Sequence, residues 1–402
     1  TSVRDLPKAQ ALLERGHSMA EALGDPAVLA RMEWGHLMVA AWTGRLEEAY
    51  TAGVEAVALA RKAGERELLA NVLTDQSRGL MQEGKHDAGA LDEAAALFRE
   101  LGNLAMLTDT LGTAAIGRLT LGDYDGALAA SLEARELADR IGNPWARSFS
   151  GFARGYVHLE RGEWGSAIEI WEDAIAYGEK AGFLVVRIGP RSDLATLYRL
   201  AGAPERGAEH LRAARELAER AAPDQLGWVL AAEIRAAIAA GELATGRRLA
   251  EDVAAGPRPS LSFVNSYMVL AIAELELAEG RPAGALAHAA EHDAVSAVFG
   301  PDRQLLIGTA HQRLGDLAAA DRALAQGVEH ARRLGARRAL WPLLRRWAEV
   351  ADARGEPELA RERRAEARDH VAAITFSLER VGLAEAFQAL PEVRATVALT
   401  PS

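Results

Sequence analysis

Apolar positions fall at helical spacing along almost the whole chain, as in the run Ala127, Leu128, Ser131, Leu132, Arg135, Leu137 and Ala138. Alternating runs of the kind that build half-buried strands are absent. Glycines interrupt the helical pattern at nearly constant intervals, at Gly44, Gly84, Gly122, Gly162, Gly202, Gly241, Gly280, Gly315 and Gly355, with steps of 35 to 40 residues. A second series of breakers falls between them, at Gly24, Gly64, Gly102, Gly142, Gly182, Pro223, Gly256, Gly300 and Gly335. Glycine ends a helix in the left-handed conformation without a Cβ clash, and proline cannot continue one. The pattern predicts helices of roughly 16 to 19 residues, paired antiparallel, two to each repeat of about 40.

Small residues repeat in step with the glycines. Five residues past each glycine stand Ala49, Gly89, Ala127, Ala167, Gly207, Gly246, Ala285, Ala320 and Ala360. Seven before it stand Ser77, Ala115, Gly155, Ala195, Ala273, Gly308 and Ala348, with Leu37 and Ile234 as exceptions. Twelve past it come Ala56, Ala96, Ala134, Ala174 and Ala214, then Val253, and Ala367 at the end. Only a minimal side chain lets two backbones approach closely, so these sites mark where paired helices pack.

The turn glycine, the small sites and segments such as Gly122-Asp-Tyr-Asp-Gly-Ala127 and Gly162-Glu-Trp-Gly-Ser-Ala167 resemble the tetratricopeptide repeat over almost the whole chain. The standard unit is about 34 residues, so each helix here is expected to be about three residues longer. Such longer units are similar to the repeats of the bacterial maltose-regulator type, the C-terminal sensor of signal-transduction ATPases (STAND or LuxR type) and of ATPase-linked adenylate cyclases. The segment Phe387, Leu390, Pro391, Glu392, Val393, Arg394 resembles the terminus of those proteins. The resemblance implies an all-α, right-handed superhelical solenoid of about nine hairpins with a C-terminal capping helix. It also implies bacterial origin and a role in signal transduction or transcription regulation.

Along the chain, residues Leu6 to Leu23 read as one lone helix before the first hairpin. Gly256-Pro-Arg-Pro-Ser260 is the sharpest break, and it divides an N-terminal sub-solenoid, residues 1–255, from a C-terminal one, 256–374. Gly189-Pro190 is expected to kink or delay the first helix of its repeat. After Gly355 a helix runs to about Ala373, and Phe376, Leu378, Val381, Leu383, Phe387 and Leu390 form an amphipathic cap within the segment 375–402.

Composition narrows the function. The 402 residues exceed what one globular core usually holds, but a solenoid grows in one dimension. Cysteine is absent, which excludes thiol chemistry and fits the cytoplasm. A net charge of −11 opposes nucleic-acid binding, and no apolar run suits a membrane span. The first residue, Thr1, reads as the start of a piece whose neighbouring segment carries the catalytic machinery.

Little in the chain points to catalysis. Lys8, Lys62, Lys85 and Lys180 stand outside any phosphate loop, and no cofactor is expected. His288-Ala-Ala-Glu291-His292 matches a zinc-hydrolase spacing, but His292 occupies a packing position and no third ligand is nominated. The zinc reading is therefore the remote alternative. The better candidates lie on the first helix of each hairpin, which lines the concave groove in tetratricopeptide superhelices. Positions six, ten and thirteen before the glycine form one face carrying Arg31, Trp34 and Met38, then Asn71, Thr74 and Arg78. Further on, the same face carries Phe149, Phe152 and Tyr156, then Ser192, Trp228, Arg235 and Tyr267. Aromatics and arginine favour binding hot spots. Asn71 with Arg78 resembles part of the carboxylate clamp by which chaperone-adaptor repeats grip a peptide C-terminus. The expectation is a non-catalytic sensor that binds a peptide, partner protein or small effector and regulates an attached ATPase or transcription-regulator segment. A constitutive scaffold or oligomerisation module is the rival.

Overall fold

The structure is a computed structural model and describes residues 6–255, 262–290 and 296–397. Those residues hold 21 α-helices and no strand. The lone helix α1 (Leu6–Leu23) precedes nine hairpins. The first five are α2 (Pro26–Trp42) with α3 (Leu46–Ala63), α4 (Arg66–Gln82) with α5 (Ala88–Leu101), α6 (Leu104–Leu121) with α7 (Tyr124–Ile141), α8 (Pro144–Glu160) with α9 (Trp164–Ala181), and α10 (Leu184–Leu200) with α11 (Pro204–Ala221). The remaining four are α12 (Leu226–Ala240) with α13 (Leu243–Ala255), α14 (Ser262–Ala278) with α15 (Pro282–Ala290), α16 (Gly300–Arg313) with α17 (Leu317–Leu334), and α18 (Arg337–Ala353) with α19 (Pro357–Glu379). Two short helices, α20 (Ala384–Ala389) and α21 (Pro391–Val397), close the described chain.

One hairpin shows why two residues suffice for a turn. Gly122 ends α6 at φ +84°, which lets the Asp123 N–H reach back to the Arg118 carbonyl at 2.9 Å. The Asp123 carboxylate then accepts from the Gly126 N–H at 2.9 Å and starts α7. All nine glycines of the first series take a positive φ. In the second series Gly300 does not. It is the first residue of α16 at φ −55°, and its small size instead makes room for the His330 ring. Pro223 opens a short 3-10 turn, and Gly256 lies outside the described residues.

The small residues do bring the helices together. Gly155 on α8 lies directly under the fully buried indole of Trp171 on α9. Where the first helix carries the larger partner, as at Leu37, the facing residue Gly53 is the small one, and a Cβ there would come within 2.6 Å of the leucine. At Gly207 the neighbour is backbone: a Cβ would sit 2.8 Å from Ala195 Cα. The second hairpin breaks the rule. Its turn runs to Asp87 before α5 starts at Ala88, two residues later than elsewhere, so Gly89 and Ala96 are exposed and Leu91 and Phe98 occupy the buried positions.

Two other expectations change. α10 starts on schedule at Leu184 and runs through Gly189-Pro190 without delay, because a proline inside a helix removes one hydrogen bond and leaves the remainder of the ladder intact. α19 continues six residues past Ala373 to Glu379, leaving Phe376 exposed while Leu378 is buried. The apolar terminal segment is therefore the end of α19 plus two short helices, which pack on α19 and also reach across the superhelix. There the Phe387 ring meets Trp164 at 5.3 Å, and Ser377 Oγ accepts from the Trp164 N–H at 3.0 Å.

Such cross-turn contacts recur. Ser296 Oγ donates to the Thr120 carbonyl at 2.9 Å, and Arg337 donates to the Arg161 carbonyl at 3.2 Å. The buried Arg338 guanidinium pairs with Glu160 at 2.8 Å and with both oxygens of Asp302 at 2.8 and 2.6 Å. The solenoid thus returns on itself and encloses a lumen.

Substituting Gly155→Ala should lower stability by about 1–3 kcal/mol through overpacking against Trp171. Chemical denaturation of Gly155→Ala, Trp171→Phe and the double variant tests the contact, with the double variant expected to lose less than the sum of the singles.

Candidate functional site

The first helices of the hairpins line the lumen, and a cavity of about 630 Å³ opens there. α4 contributes Arg78, Met81 and Gln82, and α6 contributes Met106, Asp109, Thr113 and Ile116. The opposite wall is aromatic. Trp145, Phe149 and Phe152 come from α8, Phe183 from the residue before α10, Trp228 from α12 and Phe263 from α14. Trp145 packs on Phe149 at 5.1 Å and on Phe183 at 5.0 Å, while Phe152 meets the edge of Trp228 at 5.8 Å. Two glycines make room for this wall: a Cβ on Gly112 would overlap the Phe149 ring, and one on Gly189 would come within 2.8 Å of the Trp228 indole.

The polar end of the lumen is built around Arg78. Its guanidinium donates to Asp75 at 2.9 Å and to Thr113 Oγ1 at 2.8 Å, and pairs with Asp109 at 2.5 Å. Trp34 Nε1 donates to the other oxygen of Asp75 at 2.8 Å. Burial pushes the Asp75 carboxyl above its ordinary range, with Arg78 pulling the other way. Burial works against the Arg78 charge, and Asp109 and Asp75 together more than offset it. Two carboxyl groups thus meet one cation. Asn71 spends its amide on the Glu67 carbonyl of its own helix. The carboxylate-clamp resemblance is therefore not realised, because Arg78 is already engaged by acids and Asn71 does not join it.

A smaller chamber of about 170 Å³ adjoins this site and is lined by Tyr156, Asp193, Arg235, Tyr267, Glu274 and Arg338 among others. Asp193 accepts from the Tyr156 hydroxyl and, at 3.1 Å, from Trp228 Nε1. Burial raises the Asp193 carboxyl to about 7, and the same cause raises Glu160 to about 7 against the pull of Arg338. Arg235 chelates Glu274 and lies 4.2 Å from the centre of the Tyr267 ring.

The structure thus divides the candidate residues. Arg78, Phe149, Phe152 and Trp228 line the larger cavity, and Tyr156, Arg235 and Tyr267 the smaller one. Trp34 stands behind Arg78 through Asp75. Thr74 and Ser192 are buried, and their hydroxyls donate to Ala70 and Ile188 on their own helices. Arg31 is exposed and pairs with Glu65 at 3.4 Å. Trp145, Val185 and Phe263 escaped the sequence reading, although each lies seventeen residues before its glycine, one helical turn further along the same face. Counting thirteen, ten and six back from Gly122 in the third repeat returns Asp109, Gly112 and Ile116, all of them at the site. Asp75 and Asp193 lie off that face by one position and had no such signal. In the histidine motif, His288 is half-buried at the end of α15, and Glu291 and His292 lie outside the described residues.

No family model and no curated protein matches the sequence. Among solved structures the chain is similar to an IFIT1 monomeric mutant with Gppp-AAAA, at 14% identity and a TM-score of 0.45, over 99% of this chain and 85% of that one. An IFIT1 monomeric mutant with m7Gppp-AAAA gives the same values. The APC/C hetero-tetramer Cut9-Hcn1 is similar at 14% identity and a TM-score of 0.35, over 98% and 85%. Likeness at this level carries no functional argument, and the fold rests on the helices themselves. No described helix is long and apolar enough to cross a membrane.

The raised Asp193 carboxyl has a signed consequence for stability. Between the ordinary carboxylate range near 4 and about 7 the folded chain keeps a proton that the unfolded chain releases, so its contribution is present at low pH and lost as pH rises through 7. The stability difference between the wild type and Asp193→Asn should therefore move against the wild type by up to about 1.4 kcal/mol per pH unit across this window. Denaturant titrations at pH 4.5, 5.5, 6.5 and 7.5 measure that slope, and parallel curves would refute the assignment.

Proposed function

We propose that the solenoid is a non-catalytic binding module whose lumen takes a compact ligand with an apolar, aromatic-sized body and a cationic or hydrogen-donating head. The observation that carries this reading is the pairing of an aromatic wall with a polar end in one cavity, where Asp109 lines the space and Asp75 stands behind Arg78. Its volume of about 630 Å³ falls within the usual range for small-ligand sites, roughly 300–1,000 Å³. Aromatic faces attract ammonium and guanidinium groups, and Asp109, which lines the cavity, can accept a hydrogen bond from them. A small effector fits these requirements, and so does a peptide whose aromatic side chain stands beside a lysine or arginine. The acidic net charge argues against nucleic acid as the occupant.

The ligand would touch the inner ends of α4, α6, α8, α10, α12 and α14 at once, and so would bind best at one curvature of the superhelix. A preference of that kind shifts a conformational ensemble by its differential affinity. In this reading occupancy is passed, as the resemblance to bacterial sensor repeats implies, to an ATPase or transcription-regulator segment joined to the module.

Thermal-shift and calorimetric titration with tryptamine and phenethylamine, set against indole-3-propionate and phenylpropionate, tests the head-group preference. The amines should raise the melting temperature, and Phe149→Ala should weaken their binding about tenfold or more, a loss of about 1.4 kcal/mol, whereas Arg31→Ala should not. Tighter binding of the carboxylates would overturn the reading.

A further inference from the structure

We propose that His17, Glu33 and His36 form a site for a divalent transition-metal ion of the zinc class, which fastens the leading helix α1 to the first hairpin. Glu33 and His36 are three residues apart on α2, so both leave the same side of that helix, and His17 faces them from α1. The ligand atoms of the three side chains all lie within 4.8 Å of one another. His17 Nδ1 stands 2.9 Å from Glu33 Oε1, and His36 Nδ1 stands 3.5 Å from Glu33 Oε2. A tetrahedral ion with bonds of about 2.0–2.1 Å holds its ligand atoms about 3.3 Å apart, so these separations suit an ion seated between the groups.

Hydrogen bonding does not account for the cluster. His17 Nδ1 is buried and makes no hydrogen bond despite its approach to Glu33. Glu33 is only 7% exposed, and its ion-pair partners among the described residues are the two imidazoles. A dication between the three groups would meet the buried Glu33 carboxylate with a full opposite charge. His17 Nε2 lies 3.4 Å from Glu21 Oε1, the place of the outer carboxylate that orients a metal-bound imidazole. Two imidazoles and one carboxylate leave a coordination position open. Glu33 and His36 also line a cavity of about 570 Å³ between α1, α2 and α3, whose walls carry Glu14, Glu47, Glu48 and Glu55. That acidic rim would concentrate cations at the open side.

The proposal is tested by calorimetric titration of the chelator-stripped full chain with zinc chloride, paired with hydrogen exchange. One equivalent of zinc should bind, and His36→Ala and His17→Ala should each weaken it about tenfold or more, as expected when a metal-site group is lost. His288→Ala should leave the affinity unchanged, which separates this site from the motif at residues 288–292. Zinc should also slow amide exchange in residues 6–42 of the wild type, a readout that needs no variant to fold. Undiminished binding in the His17→Ala/His36→Ala double variant, protection confined to other residues, or no binding at 100-fold excess would each overturn the proposal.

Discussion

The backbone contact between paired helices is the constraint on which the architecture depends. Where Gly207 lies against Ala195, no side chain of Gly207 separates α11 from the backbone of α10. Trp171 over Gly155 and Leu37 over Gly53 reach a similar closeness by matching one large residue to one small one. Gly308 under Leu324 repeats the match in a later hairpin. Stacking such units in one direction places the first helices side by side, and the lumen is the space their inner faces enclose.

The sequence makes the repeat legible because its signals are local. A helix terminus needs a left-handed residue, so glycine marks it, and α1 runs over the span its apolar spacing predicts. Departures occur where a local signal has more than one use. Gly300 is small for the sake of His330 and not for a turn, and Gly89 and Ala96 lose their buried positions to a turn two residues longer. Pro190 sits inside α10 because the helix is held by its neighbours rather than by its own ladder alone.

The candidate site is only half legible for a related reason. The inward face of each first helix is periodic and can be counted, which is why Phe149, Phe152 and Trp228 were found and why one more turn reaches Trp145 and Phe263. The charge of the site is not periodic. Arg78 alone suggests an anion site; Asp109 falls on the countable face but Asp75 does not, and only three-dimensional proximity shows both acids engaging the one guanidinium.

Contacts between successive turns set this solenoid apart from an open one. An open repeat array frays from its ends because each unit leans only on its neighbours. Here Thr120 is tied to Ser296, Glu160 to Arg338, and Trp164 to Ser377, across 176, 178 and 213 residues of chain. Contacts at such sequence separation raise the contact order, and closing loops of that length slows folding. The last hairpin is thereby coupled to the fourth, so the C-terminal end cannot open without breaking contacts made by a distant repeat.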